Sequence, residues 1–352
     1  MPNDKKQDNS NLMKELAGLD KALAGRKHLL IVVHNNPDPD AIATAAALGF
    51  LAEQRSQLKV SIAYGGNIGR AENRAMVKKL KIHMKQINRV RFTKYDRIAL
   101  VDTQPGAGNN SLPGDVKCHI VIDHHPSRSD LNVEFGVIKP EIGVSATILV
   151  EWLKESKLDI PGDLATALSY AINSETQNLG REASSRDIQA YLSVYVKSSM
   201  RKLAQITHPK LQRTYFVVLA RALNHTNTFR NLICAHLGEV PSAEIVSEIA
   251  DFLLRYERMG WALCTGRFKN QLIISVRSAN RKARAGKLVK HLVPDPNTVG
   301  GHDMIAGGFI LMQDSDKKST KDLEEQLMQN FARQLGYKKA EWKPLLASSE
   351  II

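Results

Sequence analysis

The sequence predicts an α/β protein of two domains, the first built on a parallel sheet. Three observations lead there. Short apolar runs rich in β-branched residues, near 28–34, 58–64, 97–102, 119–123 and 133–138, alternate with helical patterns at 11–24, 40–54, 70–86, 143–156, 162–174 and 184–198; alternation of this kind builds βαβ units. The runs at 29–33, 98–101 and 119–122 show no period of two, as expected of strands buried on both faces. A chain of 352 residues also has room for two cores.

The helix at 11–24 precedes the first strand, Leu29-Leu30-Ile31-Val32-Val33, which ends abruptly in His34. Pro37 and Pro39 keep Asn36 and Asp38 out of the helical region, so 34–40 stays extended until a helix begins at Asp40. Asp38 and Asp40, two residues apart, then point to one side, and the start of the helix holds Asp40. That helix carries the longest apolar stretch, 41–52, which is too short to span a bilayer. The polar first ten residues lack the apolar core of a signal peptide. Cys118, Cys234 and Cys264 lie far apart in apolar segments and read as buried reduced thiols. The expectation is a cytoplasmic protein without membrane contact.

The run 98–101 ends in Asp102, and the run 119–122 ends in Asp123-His124-His125. Neighbouring histidines in an extended chain face opposite sides, so one can ligate a metal while the other faces substrate. A metal-bound histidine needs an acceptor on its other nitrogen, and Asp123 is a candidate for that role or for a weaker metal contact. Ligands of open α/β sheets bind beyond the carboxyl ends of the strands, so the three polar strand ends converge on one crevice. Several carboxylates there would repel one another unless cations compensate. Two divalent ions do so, and a pair ~3.5–4 Å apart can hold a bridging hydroxide and clamp phosphoryl oxygens. Oxygen and imidazole donors without thiolate suit Mn²⁺ best, with Mg²⁺, Co²⁺ or Fe²⁺ as alternatives.

Around 199–215 the periodicity weakens and His208-Pro209 interrupts it. The expected division is therefore a catalytic domain over 1–198, a linker over 199–215 and a second domain over 216–345. The second domain should contain a strand at 230–237, a helix at 242–255 with Ser242 as N-cap, a hairpin of 261–268 with 271–276 turning at Lys269-Asn270, and a closing helix at 320–335. The net charge of +13, from 49 basic and 36 acidic residues, concentrates at 70–97 and 277–290. Such fields steer and hold polyanions.

Together these pieces resemble the DHH phosphoesterase superfamily. Asp123-His124-His125 is similar to its naming motif, His34-x-x-x-Asp38-x-Asp40 to its first motif and Val101-Asp102-Thr103 to its second. Gly300-Gly301-His302 followed by Ala306-Gly307-Gly308 resembles the signature of the DHH-associated domain, so that roughly 26–340 is covered. The subgroup it resembles most is the nano-RNase and 3′-phosphoadenosine-5′-phosphate phosphatase type. The resemblance implies that His34 and Asp38 bind one metal, that Asp40 and His124 bind another, and that Asp102 bridges them. His125 would contact the substrate phosphate. The family's fourth motif matches Ile172-Asn173-Ser174-Glu175-Thr176, with Glu175 where a metal-binding Asp is usual; one more methylene alters its reach. In the second domain, Gly300 and Gly301 would let the backbone approach a phosphate. His302 would donate to it, and Arg277 would grip it with two parallel hydrogen bonds. The active site would lie in the cleft between the parallel-sheet domain and a smaller α/β substrate-binding domain. The implied activity is hydrolysis of very short oligonucleotides or of 3′-phosphoadenosine-5′-phosphate. Polyphosphate or cyclic-dinucleotide hydrolysis, or a nucleic-acid-binding member with weakened catalysis, are the alternatives. A homodimer is compatible with such a fold.

Overall fold

The computed structural model describes residues 2–180, 183–301, 303–312 and 317–346, and the chain divides into two units between Pro209 and Lys210. In the first, α1 (Pro2–Leu23) leads to β1 (His28–Val33), α2 (Pro39–Ser56), β2 (Lys59–Tyr64), α3 (Ala71–Lys79) and β3 (Met84–Gln86). Two 3₁₀ turns, Ile87–Arg89 and Phe92–Lys94, carry the chain back to β4 (Arg97–Val101), and β5 (Ile120–Asp123) and β6 (Phe135–Ile138) follow through loops. Then come α4 (Ser145–Glu155), α5 (Gly162–Glu175), α6 (Ser185–Tyr195) and α7 (Met200–Thr207).

All six strands run parallel, in the order β3-β2-β1-β4-β5-β6. The order reverses between β1 and β4, the topological switch point at which such sheets bind ligands beyond their strand ends. Alternate residues of β1 enter two cores, and this explains the missing period of two. Leu29, Ile31 and Val33 pack with Leu48, Leu149 and Leu168 of the helices. Leu30 and Val32 pack with Leu100 and Val121 under Phe92, Leu112 and Val116. One face of the sheet thus carries a helical layer, and the other is closed by 3₁₀ turns and loop residues.

Two expectations change here. The helix predicted over 70–86 stops at Lys79, and its remainder supplies the edge strand β3, whose three residues are too few to show a strand pattern. The stretch 199–215 is no extended linker. Ser199 caps α7, with its hydroxyl accepting from the Lys202 amide, and Ile206 is buried in the first unit's core.

The second unit comprises α8 (Arg213–Asn224), β7 (Thr226–Phe229), β8 (Leu232–Glu239), α9 (Glu244–Leu253), β9 (Trp261–Phe268), β10 (Gln271–Ser278), α10 (Ala285–Lys290), β11 (Val299–Gly301), β12 (Ile305–Leu311), α11 (Lys317–Gln334) and β13 (Lys343–Pro344). Its sheet has the order β11-β12-β10-β9-β8-β7-β13, antiparallel throughout except for the parallel pair β8–β9. Leu232, Cys234, Leu272, Ile274 and Val276 face α10 and α11, whereas Ile233, Ala235, Ala262 and Cys264 face α8 and α9. The strand predicted at 230–237 begins later than expected, because Arg230, at φ 54°, turns a hairpin between β7 and β8. Ser242 does not cap α9; the N-cap position is Ala243, which makes no side-chain bond. The β9–β10 hairpin turns at Lys269 as predicted, with φ 54°. Among the described residues no helix is long and apolar enough to cross a membrane.

Candidate metal centre

His34, Asp102 and Asp123-His124-His125 lie at the carboxyl ends of β1, β4 and β5, beside the switch point. The 34–38 segment is not extended throughout as expected, because Asn36 takes a left-handed φ of 55°, and it is fixed by neighbouring loops and by α3. Asn35 N donates to Asn109 O at 2.7 Å, Asn36 N to Gly65 O at 3.0 Å, and the buried Asn73 Nδ2 to Pro37 O at 3.2 Å. Asp38 is the N-cap of α2, accepting from Ala41 N at 2.9 Å, and Pro39 opens the helix at N1.

Asp40 is the second residue of α2, and it is held by a different helix. Its oxygens accept from Ser145 N and Ala146 N, each at 2.7 Å, at the start of α4, and from Thr44 Oγ1 at 3.1 Å. The positive end of α4 therefore steadies a buried carboxylate. Asp102 has φ 56°, a left-handed conformation that Asp tolerates better than most residues. Its backbone N–H donates to Ile122 O at 2.9 Å, and Ser145 Oγ donates to its Oδ1 at 3.0 Å.

This conformation aims the two oxygens of Asp102 at two groups. Oδ2 lies 3.4 Å from His34 Nε2, which is itself 3.2 Å from Asp38 Oδ2. Oδ1 lies 3.5 Å from His124 Nε2, which is 4.0 Å from Asp40 Oδ2. Two donors each ~2.1 Å from one ion are separated by about 3 Å at right angles and by about 4.2 Å when opposed, so the separations in both groups are within reach of a ligand set. The other nitrogen of each ring is occupied by a carbonyl: His34 Nδ1 is 2.9 Å from Asn35 O and His124 Nδ1 is 3.3 Å from Ile142 O. A carbonyl can only accept, so Nδ1 carries a proton and Nε2 is the nitrogen turned to the carboxylates, where a metal ion would take the place of the Nε2 proton.

The electrostatics also call for cations. Burial, then Asp102 and Asp38, push Asp40 well above the usual carboxylate range. Glu175, at the end of α5, is pushed up to about 8 by burial and then by Asp38 and Asp102. Burial is the largest influence on His34 and lowers it, yet Asp38 and Asp102 together raise it well above its ordinary value. For Asp38 burial acts upward, but the His34 charge outweighs it and lowers the carboxyl to about 2. Among the described residues the His34 imidazolium, the N–H groups at the start of α4 and, for Glu175, Arg70 offset these carboxylates in part, and divalent ions fit the same donor set.

Asp123 does not point at the two groups. Its Oδ1 accepts from His125 Nδ1 at 2.8 Å and from His124 N at 2.8 Å, and its Oδ2 from Gln104 Nε2 at 2.7 Å. The bond from Asp123 is the main cause of a rise in the His125 pKa to about 9. His125 remains half exposed, so its free Nε2–H is a charged donor at the rim of the crevice. Glu175 shares the field of Asp38 and Asp102 but is absent from both close donor groups.

In the second unit the predicted phosphate grip takes a different form. Arg277 sits on the face of β10 that packs on α9; it is buried, its Nε donates to Asp251, and its Nη1 donates to Ser275 Oγ at 2.9 Å and Val276 O at 3.0 Å. Its guanidinium edge is engaged internally, which corrects the expectation of an open fork. Gly300 and Gly301 form the edge strand β11 opposite Gly307 and Ala306. Gly301 has φ 125°, and a Cβ there would collide with Ile305 O and Ala306, so strand packing alone requires this glycine. His302 lies outside the described residues. The basic side chains Arg281, Lys282, Arg284, Lys287 and Lys290 are exposed.

Three supporting residues were not anticipated: Gln104, Ser145 and Asp187. Asp187 is fully buried and accepts from Gly143 N at 2.8 Å, Ser184 N at 2.7 Å and Thr147 Oγ1 at 2.6 Å. It ties the start of α6 to the start of α4, which holds Asp40. Ser184-x-x-Asp187 is a capping-box pattern that would have flagged it.

No protein-family profile matches the chain. An uncharacterized protein of Methanocaldococcus jannaschii is 34% identical over 322 residues, covering 89% of this chain and 65% of that protein. A probable manganese-dependent inorganic pyrophosphatase of Lactobacillus delbrueckii subsp. bulgaricus is 29% identical over 148 residues, covering 42% of this chain and 47% of that protein. The chain thus spans less than two thirds of the length of either relative. Among solved structures, an exopolyphosphatase-related protein from Bacteroides fragilis matches with a TM-score of 0.73 and 16% identity over 92% of this chain and 98% of that one. That likeness shows a common fold, a parallel-sheet unit followed by a smaller α/β unit.

Proposed function

We propose that the chain is a DHH-type, divalent-metal-dependent phosphoesterase acting on very short oligonucleotides or on 3′-phosphoadenosine-5′-phosphate. One observation carries the reading: Asp102 presents one oxygen to His34 and Asp38 and the other to His124 and Asp40, with both imidazoles oriented by carbonyls. His34, Asp38 and Asp102 would hold one ion, and Asp102, His124 and Asp40 the second; Mn²⁺ is favoured by the donor set and by the name of the pyrophosphatase relative. Such ions supply Lewis acidity and acidify water at neutral pH. The chain's own part is positioning. Asp102 fixes the separation of the two groups, the start of α4 favours the charged form of Asp40 against burial and its acidic neighbours, and Asp123 directs the His125 Nε2–H at a phosphoryl oxygen. Glu175, in the field of Asp38 and Asp102, would add negative charge around the ions. Gly300, Gly301 and His302, with the exposed basic run 281–290, are the proposed contacts for a second phosphate.

The test is turnover of 5′-phosphorylated diadenylate beside 3′-phosphoadenosine-5′-phosphate, polyphosphate and cyclic di-AMP, with Mn²⁺ and with chelator. Mn²⁺-dependent release of adenylate, or loss of the 3′ phosphate, supports the reading. No turnover of any of these with Mn²⁺ present contradicts it. A second reading, hydrolysis of inorganic pyrophosphate, draws on the alignment with the Lactobacillus enzyme. Adding pyrophosphate to the panel decides between the two.

A further inference from the structure

β3 is an edge of the first unit's sheet, and a basic surface surrounds it. On the helical layer, the α3 segment buries Asn73, Met76 and Leu80 along one side and exposes Arg74, Lys78, Lys79 and Lys81 along the other. On the opposite face of the sheet, Ile87, Val90 and Phe92 pack inward from the 3₁₀ turns, while Arg89, Arg91 and Lys94 are exposed. None of these seven cations makes an ion pair with a described residue. Elsewhere in the unit lysines are paired: Lys117 with Glu134, Lys139 with Glu15, Lys197 with Asp159 and Lys202 with Asp163. The acids within the basic stretch are engaged away from it. Asp96 accepts from Lys27 N and His28 N, both at 2.9 Å, and Glu72 bears on the buried Tyr170 of α5. The helix dipole accounts for Lys78 and Lys79 at the end of α3, and Lys85 guards the strand edge itself. Neither accounts for Arg74, Arg89, Arg91 and Lys94.

The shape of the edge narrows what it fits. β3 pairs only with Ile62–Tyr64, so on that side the start of β2 has no strand beside it among the described residues. The gap is a groove of about 310 Å³, floored by half-buried Val60, Ile62, Ile82 and Met84, with exposed His83 among its walls. An apolar floor and an imidazole ring are surfaces against which a base can stack. The cations lie on both sides of the sheet edge. A flat bilayer or a stiff duplex would meet one set at a time, whereas a flexible strand can bend round to meet both. We propose that this edge binds a single-stranded nucleic acid, its phosphates on the basic residues of α3 and the 3₁₀ turns and a base in the groove beside His83. α3 starts near the metal centre, since Asn73 Nδ2 donates to Pro37 O at 3.2 Å and Asn67 N to Asn36 Oδ1 at 2.8 Å. The basic ridge therefore leads away from that crevice. The proposal concerns strands longer than a dinucleotide, and it stands whether or not the metal centre is catalytic.

The experiment is fluorescence anisotropy of the full chain, in chelator so that no strand is cut, with labelled oligouridylate and oligothymidylate of about twelve nucleotides. An unlabelled duplex of the same length and vesicles of phosphatidylcholine with phosphatidylserine serve as competitors, and each titration is repeated across a salt series. Saturable binding of a single strand is expected. Each phosphate contact contributes about −0.7 to the slope of log K against log salt. The pair Lys78→Gln with Lys81→Gln should therefore make the slope shallower by about 1.4 and weaken binding about tenfold. The pair Lys21→Gln with Lys154→Gln removes the same charge from exposed positions outside the edge and should change neither. His83→Ala should weaken binding and leave the slope in place. Equal affinity for both strands assigns recognition to the backbone and base face, and preference for oligouridylate adds the 2′-hydroxyl. Three results overturn the proposal: no saturable binding of either strand, stronger competition by duplex or vesicles than by an unlabelled strand, and a slope unchanged in Lys78→Gln with Lys81→Gln in protein that melts at the wild-type temperature.

Discussion

Asp102 and His125 show how far a residue's role depends on its bonded neighbours. Asp102 serves two groups because a left-handed backbone turns its carboxylate across the switch point. Adjacent histidines are oriented differently because His124 Nδ1 faces a carbonyl and His125 Nδ1 faces Asp123. The convergence of His34, Asp38, Asp40, Asp102 and His124 was legible in the sequence, since each terminates or follows a β-branched run. Arg277 was not: that it lies on the face of β10 toward α9 depends on strand register and on Asp251, twenty-six positions away. Two predictions belong at this scale. Glu175→Gln should weaken Mn²⁺ binding by about 10–100-fold, as loss of a supporting carboxylate commonly does; calorimetry with Mn²⁺ measures it, and unchanged affinity would remove Glu175 from the centre. His236 has a folded pKa of about 4 against an ordinary 6.5. Between those values the unfolded chain binds a proton that the native chain does not, so stability should rise with pH from about 4 to about 6.5 and gain nothing from this group above that. In His236→Gln the urea midpoint should lose that part of its pH slope.

At the scale of elements, the metal centre rests on the start of α4. Ser145 N and Ala146 N hold Asp40, Ser145 Oγ holds Asp102, and Asp187 fixes the approach to the helix through Gly143 N and Thr147 Oγ1. Asp187→Ala leaves several buried donors without an acceptor and should cost about 3–5 kcal/mol, against ~1 kcal/mol for loss of the Ser184 cap in Ser184→Ala. Urea unfolding of the two variants checks the ratio; equal, small losses would show that α4 is positioned by packing alone. The sequence revealed the strands and long helices of the first unit because each carries a strong apolar pattern. It hid β3 and α7 for physical reasons: three strand residues are too few for periodicity, and α7 buries only Ile206 fully. The support of Asp40 by α4 was hidden too, because it joins residues 105 and 106 positions apart.

For the whole molecule, the two units carry different chemistry: buried carboxylates with imidazoles in the first, a neutral-to-acidic cavity and an exposed basic run in the second. The excess of thirteen positive charges predicts that KM for 5′-phosphorylated diadenylate rises steeply with salt. Turnover across a salt series tests this; a KM that does not move with salt would show that the basic runs take no part in binding. The central claim is that Asp102 joins two metal groups, and it is tested most directly by counting Mn²⁺ in wild-type protein and in Asp102→Asn while following cleavage of the dinucleotide. Asn tolerates the left-handed backbone, so the fold should persist. The account predicts two ions per wild-type chain, fewer in the variant, and turnover reduced by orders of magnitude. Full turnover by Asp102→Asn, or cleavage by the wild type that persists in chelator, would contradict it.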